Sequence, residues 1–129
     1  MKAYTNIDQS KILAEILPLE SADMAYYFMK DSGHPVNLSP FVLDGTEVKE
    51  NGMFTYLNCW SLAALLEIIP KYIEGSNRLR IDIDNVNFSI WYDDLNDCGV
   101  NNKLPDLTLK EPVDACVEMI LKLHERNLL

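Results

Sequence analysis

Residues 78–84 read Arg-Leu-Arg-Ile-Asp-Ile-Asp, an alternation that a helix cannot use. Side chains repeat every two residues along a strand and every 3.6 along a helix, so Leu79, Ile81 and Ile83 share one face and Arg78, Arg80, Asp82 and Asp84 the other. A strand with one apolar and one wet face belongs in an antiparallel sheet. A turn at Asp84-Asn85 returns the chain through Phe88, Ile90 and Tyr92, which supplies the antiparallel partner.

Helical signals surround this hairpin. Thr5-Asn6-Ile7-Asp8 resembles a capping box, Ile7, Leu13, Ile16 and Leu17 follow at helical intervals, and Pro18 stops the helix. Residues 23–29 are rich in aromatics and read as a strand with apolar character on both faces. Residues 31–35 form a turn cluster, and Pro40-Phe41-Val42-Leu43 leads into Asp44-Gly45, a hairpin signal flanked by one or two more strands. Between Leu62 and Ile69 only Glu67 is charged; with Ser61 as cap and Pro70 as stop, this is a helix apolar nearly all round and therefore the centre of the core. Residues 95–110 read as a loop. Pro112 opens the last helix, whose apolar stripe is Val113, Cys116, Val117, Ile120, Leu121, Leu123 and His124, with Asp114, Glu118, Lys122 and Glu125 opposite. The pattern L-x-E-I-x-P occurs before both Pro18 and Pro70, and reads as helix punctuation rather than duplication. The expected architecture is α+β: an antiparallel sheet with about three helices packed on one face, the C-terminal helix long and amphipathic, and residues 1–129 forming a single domain.

Composition narrows the function. With 129 residues and 48% hydrophobic side chains the chain is long enough and apolar enough to bury a core, which excludes disorder. Twenty acidic against 11 basic residues leave a net charge of -9, which opposes direct contact with nucleic-acid phosphates and with anionic membranes. The apolar run from Ile12 to Leu17 is too short for a signal peptide or a spanning helix, so the expected location is cytoplasmic. Cys59, Cys98 and Cys116 match neither a disulfide framework nor a zinc half-site and read as free thiols.

No catalytic constellation emerges. Cys116 and His124 lie about 12 Å apart along a helix, too far for a dyad. Cys59 with His34 has no motif around it. Asp94-x-Asn96-x-Cys98-Gly99 resembles the start of a calcium loop, but Cys98 and Pro105 stand where a ligand and the bidentate glutamate belong. What survives is a weak cation site from Asp93, Asp94 and Asp97, with a solvated acidic turn as the simpler reading. Asp82 and Asp84 share a strand face at glycosidase-like spacing, yet Arg78 and Arg80 on that face neutralise them. The chain therefore calls for no catalytic residue, no metal and no cofactor.

Ser10-Lys11 through Leu13-Ala14, the run Leu17-Pro18-Leu19-Glu20-Ser21-Ala22-Asp23-Met24 with Tyr26-Tyr27, residues 60–66 ending at Pro70, and residues 114–120 together carry a resemblance. In these stretches the chain resembles a group of short uncharacterised proteins from gut Bacteroidetes, often carried by phages or other mobile elements. The resemblance covers both ends and the central helix, leaves out residues 28–58 and 72–112, and implies a bacterial or phage-associated setting without any chemistry.

The expected function is accordingly a non-enzymatic protein-binding or adaptor module whose partner is a protein, a second copy of itself included. If Phe88, Ile90 and Tyr92 face inward, the pleat turns Trp91 outward beside Ser89 and Asp93, where it is either open to a partner or covered by the loop after residue 95; Trp91, Asp93 and Asp94, together with Met119 on the flank of the last helix, are the candidate contact residues. Trp60, at the mouth of an apolar helix, reads as packing. The alternative is a DNA-mimic-like accessory protein, because residues 81–102 hold five aspartates and neither Lys nor Arg and could occupy a basic site on a host protein.

Overall fold

The computed structural model describes residues 1–36, 39–43, 52–95, 99–100 and 104–129. Three helices and two antiparallel sheets give an α+β chain, with two sheets in place of the single one expected. The chain forms two compact units: Ala3–Ala64, and Met1–Lys2 together with Leu65–Leu129.

In the first unit, helix α1 (Ile7–Ile16) begins one residue later than the sequence suggests. Asn6 is the cap: its Oδ1 accepts the Gln9 N–H at 2.8 Å, and Gln9 Oε1 accepts the Asn6 N–H at 3.0 Å, a reciprocal capping box. Thr5 is unavailable for that role because its hydroxyl is drawn into a buried polar cluster described below. After Pro18 and a 3-10 turn (Leu19–Ser21) come strands β1 (Met24–Met29), β2 (Phe41–Val42) and β3 (Phe54–Cys59), ordered β2-β1-β3. The register pairs Met24 with Cys59 and Tyr26 with Leu57, and α1 packs on β3. The expected Asp44-Gly45 hairpin lies outside the described residues. The unit's ends run side by side: Thr5 N–H donates to Trp60 O at 3.0 Å and Leu62 N–H to Ala3 O at 3.1 Å.

Helix α2 (Leu62–Ile68) starts where expected. Ser61 Oγ accepts the Ala64 N–H at 3.2 Å, while the Asp23 carboxylate accepts both the Ser61 hydroxyl and its N–H, the latter at 2.9 Å, so β1 is tied to the cap. The helix is not buried all round. Ala64 and Leu65 are buried, but Ala63 and Glu67 face water, because seven residues make fewer than two turns and only one flank meets the core.

The second unit carries β4 (Tyr72–Ile73), β5 (Asn77–Ile83), β6 (Phe88–Asp94), β7 (Gly99–Val100), β8 (Leu107–Leu109) and α3 (Pro112–Glu125). The order is β4-β5-β6-β7, with β8 also pairing β6. Gly75 and Glu74 take left-handed conformations (φ 79 and 47) in the short β4–β5 turn, a geometry in which glycine carries no steric penalty. The hairpin foreseen at Asp84-Asn85 is present, with Leu79 opposite Tyr92 and Ile81 opposite Ile90. Asp84 itself leaves the strand. Its Oδ1 accepts the N–H groups of Val86 and Asn87, both at 2.7 Å, which holds its carboxyl below the usual range and makes it a turn residue rather than half of a carboxylate pair with Asp82. Residues 107–109, expected in a loop, form β8 against β6.

Helix α3 packs on β6 and β8 and buries Val113, Ala115, Cys116, Val117, Met119, Ile120 and Leu123. Its buried arc is wider than the stripe read from the sequence. Met119 is 0% exposed and therefore offers no surface to a partner: its position, three and four residues from Cys116 and Leu123, sets it inside the arc rather than on its flank. His124, assigned to the stripe, is exposed in the last turn.

Candidate functional site

Strand pleating sorts the β5–β6 hairpin into two faces. Phe88, Ile90 and Tyr92 are buried, and Tyr92 also donates its hydroxyl to Pro70 O at 2.7 Å. Burial without a charged partner pushes the Tyr92 phenol well above its usual range. The opposite face carries Ser89, Trp91 and Asp93 from β6, with Asp82, Arg80 and Arg78 opposite them on β5 and Thr108 opposite Ser89 on β8. Trp91 is thus where the alternation puts it, half-buried beside Ser89 and Asp93.

Its indole is held in place. Trp91 Nε1 donates to Asp93 Oδ1 at 2.7 Å, and the other Asp93 oxygen lies 3.4 Å from Arg80 Nε, the residue opposite Trp91 in the ladder. One carboxylate therefore orients both the indole and the guanidinium. The ion pair is solvent-facing, with Arg80 about half exposed, and its own contribution to stability is small, about 0–1 kcal/mol; what it supplies is orientation. Asp94 does not join this group. The pleat sends it to the other face, where it accepts the Ser76 hydroxyl at 3.3 Å. Of the four candidate contact residues, then, Trp91 and Asp93 come together, Asp94 turns away and Met119 is interior.

The same separation bears on the cation reading. Asp93 and Asp94 point to opposite faces, Asp97 lies outside the described residues, and among the described residues no group of three or more His, Cys, Asp and Glu side chains is gathered as metal ligands. Nor is the acidic stretch a face of one sign, since Arg78 and Arg80 share the wet face with Asp82 and Asp93.

Cysteine chemistry meets a different obstacle. Cys59 is 0% exposed, and His34 is an exposed turn residue. The Cys59 thiol instead belongs to a buried cluster at the head of α1. Thr5 Oγ1 lies 2.8 Å from Ser10 Oγ and 3.4 Å from Cys59 Sγ and accepts the Trp60 N–H at 3.2 Å, and Tyr26 donates its hydroxyl to Thr5 O at 2.7 Å. Burial raises the Cys59 thiol pKa even though its hydrogen-bonding neighbours pull the other way, and burial pushes Cys116 up to about 12 against the opposing pull of Lys71. Both thiols are free and inert by environment. At pH 8 a thiol of pKa about 12 is ionised in roughly one molecule in ten thousand. Iodoacetamide at pH 8 is therefore expected to leave Cys59 and Cys116 unmodified in folded protein and to label both in denaturant, as read by peptide mass spectrometry. Folded-state labelling of either within minutes would contradict their burial. Because the folded Cys116 pKa lies above its unfolded value of 9.0, its contribution to stability is intact below pH 9 and is lost as pH rises toward 12.

One feature went unread in the sequence. The β1–β3 sheet turns Tyr27, Phe41, Phe54 and Tyr56 to a single face, with the rings of Tyr27 and Phe41 stacked at 4.4 Å and those of Tyr27 and Phe54 tilted by 60° at 6.2 Å. The available signal was apolar character on both faces of residues 23–29. A shallow groove of about 300 Å³ is lined in part by Lys11, Phe28, Lys30, Thr55 and Tyr56. No described helix is long and apolar enough to cross a membrane. Comparison of the chain with family models, with curated proteins and with solved structures yields no match.

Proposed function

We propose that this chain is a cytoplasmic, non-enzymatic protein-binding module of bacterial or phage-borne origin, contacting its partner through the wet face of β5 and β6 with Trp91 as the anchor. The observation that carries the reading is the Asp93 clamp. An aromatic side chain at a surface normally gives up rotamer freedom when it binds; an indole already held by a 2.7 Å hydrogen bond gives up less, and Trp is among the residue types enriched at interface hot spots. The mixed charge of the same face, Arg78 and Arg80 interleaved with Asp82 and Asp93, suits a protein surface better than it suits imitation of a uniformly negative nucleic acid.

A photo-crosslinking side chain placed at Ser89, beside Trp91, tests the reading in a bacterial lysate. Discrete crosslinked species are expected, and Trp91→Ala should reduce them at least about tenfold, equivalent to about 1.4 kcal/mol or more. The circular dichroism spectrum and melting temperature should stay close to wild type, since Trp91 is outside the buried core. Crosslinks indifferent to Trp91→Ala would remove the anchor from the proposal.

A further inference from the structure

The sheet of the second unit has an open edge. β4 covers only the beginning of β5: Ile73 pairs with Asn77, Tyr72 with Arg78, and Leu79 N–H donates to Lys71 O at 2.8 Å. Beyond Leu79, among the described residues, no strand lies on the side of β5 away from β6. The direction of the backbone groups there is fixed by two hydrogen bonds at the hairpin's ends. Leu95 N–H donates to Ser76 O at 2.9 Å and Asp84 N–H to Asn87 O at 3.0 Å, so even-numbered residues of β5 face β6. Ile81 and Ile83 therefore aim their N–H and C=O groups into the open edge. The two residues are 41% and 68% exposed, and Arg80 and Asp82 beside them are exposed as well. An uncovered edge flanked by apolar side chains is a template for strand addition.

A second copy of the chain does not fit this template. Antiparallel pairing must set edge-facing residues opposite edge-facing residues, which leaves three registers. Centred on Ile81, the incoming Ile83 falls opposite Leu79, a place already taken by Lys71. Centred on Asp82, both isoleucines are used but Asp82 meets Asp82 of the other copy directly. Centred on Ile83, each Asp82 meets an Asp84. Like charges directly opposite one another destabilise a ladder.

We infer that the open edge of β5 accepts an extended strand of a partner protein in which a basic side chain sits between two apolar ones, the basic group opposite Asp82 and the apolar pair opposite Ile81 and Ile83. An acidic residue two positions from the basic one falls opposite Arg80 and completes the charge match. Asp82 thus selects the partner and excludes the chain's own copies. The inference rests on the reading of the chain as a protein-binding module but uses the edge of the sheet rather than the Trp91 face.

The chain itself provides the probe. Asp82→Lys converts the strand into Ile-Lys-Ile, the sequence the edge calls for, and an exposed strand position tolerates the change. Wild type alone is expected to remain monomeric by sedimentation velocity up to about 1 mM, a range set by the small contact area, and Asp82→Lys alone is the reference for the mixture, because in the register centred on Ile83 its introduced lysine would meet Asp84 of a second copy. A mixture of the two should form a heterodimer, with Asp82 of the wild-type chain opposite the introduced lysine of the variant and both Arg80 side chains opposite Asp84. In isotope-labelled wild type, the amides of Ile81 and Ile83 should exchange at least about tenfold more slowly in the mixture than alone. Ile81→Pro, which removes an N–H aimed at the open edge and at nothing else, should abolish the heterodimer with the fold intact by circular dichroism. A mixture that stays monomeric with unprotected Ile81 and Ile83 amides would overturn the inference, and so would a wild type that dimerises unaided with those two amides protected. If the Trp91-dependent crosslinks persist in that case, the binding-module reading survives without the edge.

Discussion

Trp60→Ala is expected to destabilise the protein by about 3–5 kcal/mol, the range for truncating a large buried aromatic. Trp60 is 0% exposed, and its indole N–H donates to Ser21 Oγ at 3.0 Å. Truncation leaves a cavity at the junction of β3 and α2 and deprives the Ser21 hydroxyl of its donor. Since a domain's total stability is about 5–15 kcal/mol, the loss is a large fraction of what is available, and the melting temperature should fall by roughly 10–20 °C. Trp60→Phe keeps most of the packing and loses the hydrogen bond, so a loss of about 1–2 kcal/mol is expected. Melting followed by circular dichroism separates the two. An alanine variant within about 1 kcal/mol of wild type would mean that the site collapses around the gap, contrary to close packing at this position.

Thr5→Val should be nearly as damaging, although it preserves the shape of the side chain. The Thr5 hydroxyl accepts the Trp60 N–H and sits against the hydroxyl of Ser10, and both Thr5 and Ser10 are 0% exposed. Valine fills the same volume and strands a buried donor, which costs about 1–3 kcal/mol, with a further contribution of about 1 kcal/mol from the lost Ser10 contact. The expected total is about 2–4 kcal/mol. Thr5→Ser retains the hydroxyl and gives up one methyl group, so it should cost about 1 kcal/mol. If valine and serine prove equivalent in chemical denaturation, the cluster is packing alone and its hydrogen bonds are dispensable.

The elements legible in the sequence were those with a strict local period. The Arg78–Asp84 alternation announced the β5–β6 hairpin because each of its residues reports the same two-fold pleat, and Pro112 with the apolar spacing behind it announced α3. The bounds of β3 were illegible for the opposite reason: Phe54, Tyr56 and Asn58 on one face and Thr55, Leu57 and Cys59 on the other give no contrast to read. The division into two sheets depends on β1 finding β3 about thirty residues away, and nothing local encodes that choice. At the site, the outward position of Trp91 followed from the pleat. Its clamp did not, because the reach of Asp93 to Nε1 and to Arg80 depends on side-chain rotamers and on the exact register of the hairpin, which the alternation leaves open. Grouping Asp93 with Asp94 was an error of the same period that placed Trp91 correctly, since neighbours in a strand face opposite ways. Met119 was misplaced because a helix packed against two strands buries a wider arc than one stripe.

The ladder that joins residues 3–5 to residues 60–62 also bears on how the chain is threaded. Residues 1–2 belong with Leu65–Leu129: the Lys2 N–H donates to Glu111 Oε2 at 2.9 Å and its ammonium lies 2.7 Å from Asp114 Oδ1. The Ala3–Ala64 segment is therefore an inserted cassette in the topological sense, its two ends held together by the rung between Ala3 and Leu62. Once that rung forms, the loop between Lys2 and Leu65 is already closed, and the entropy of bringing those distant residues together is borne by the cassette's own folding.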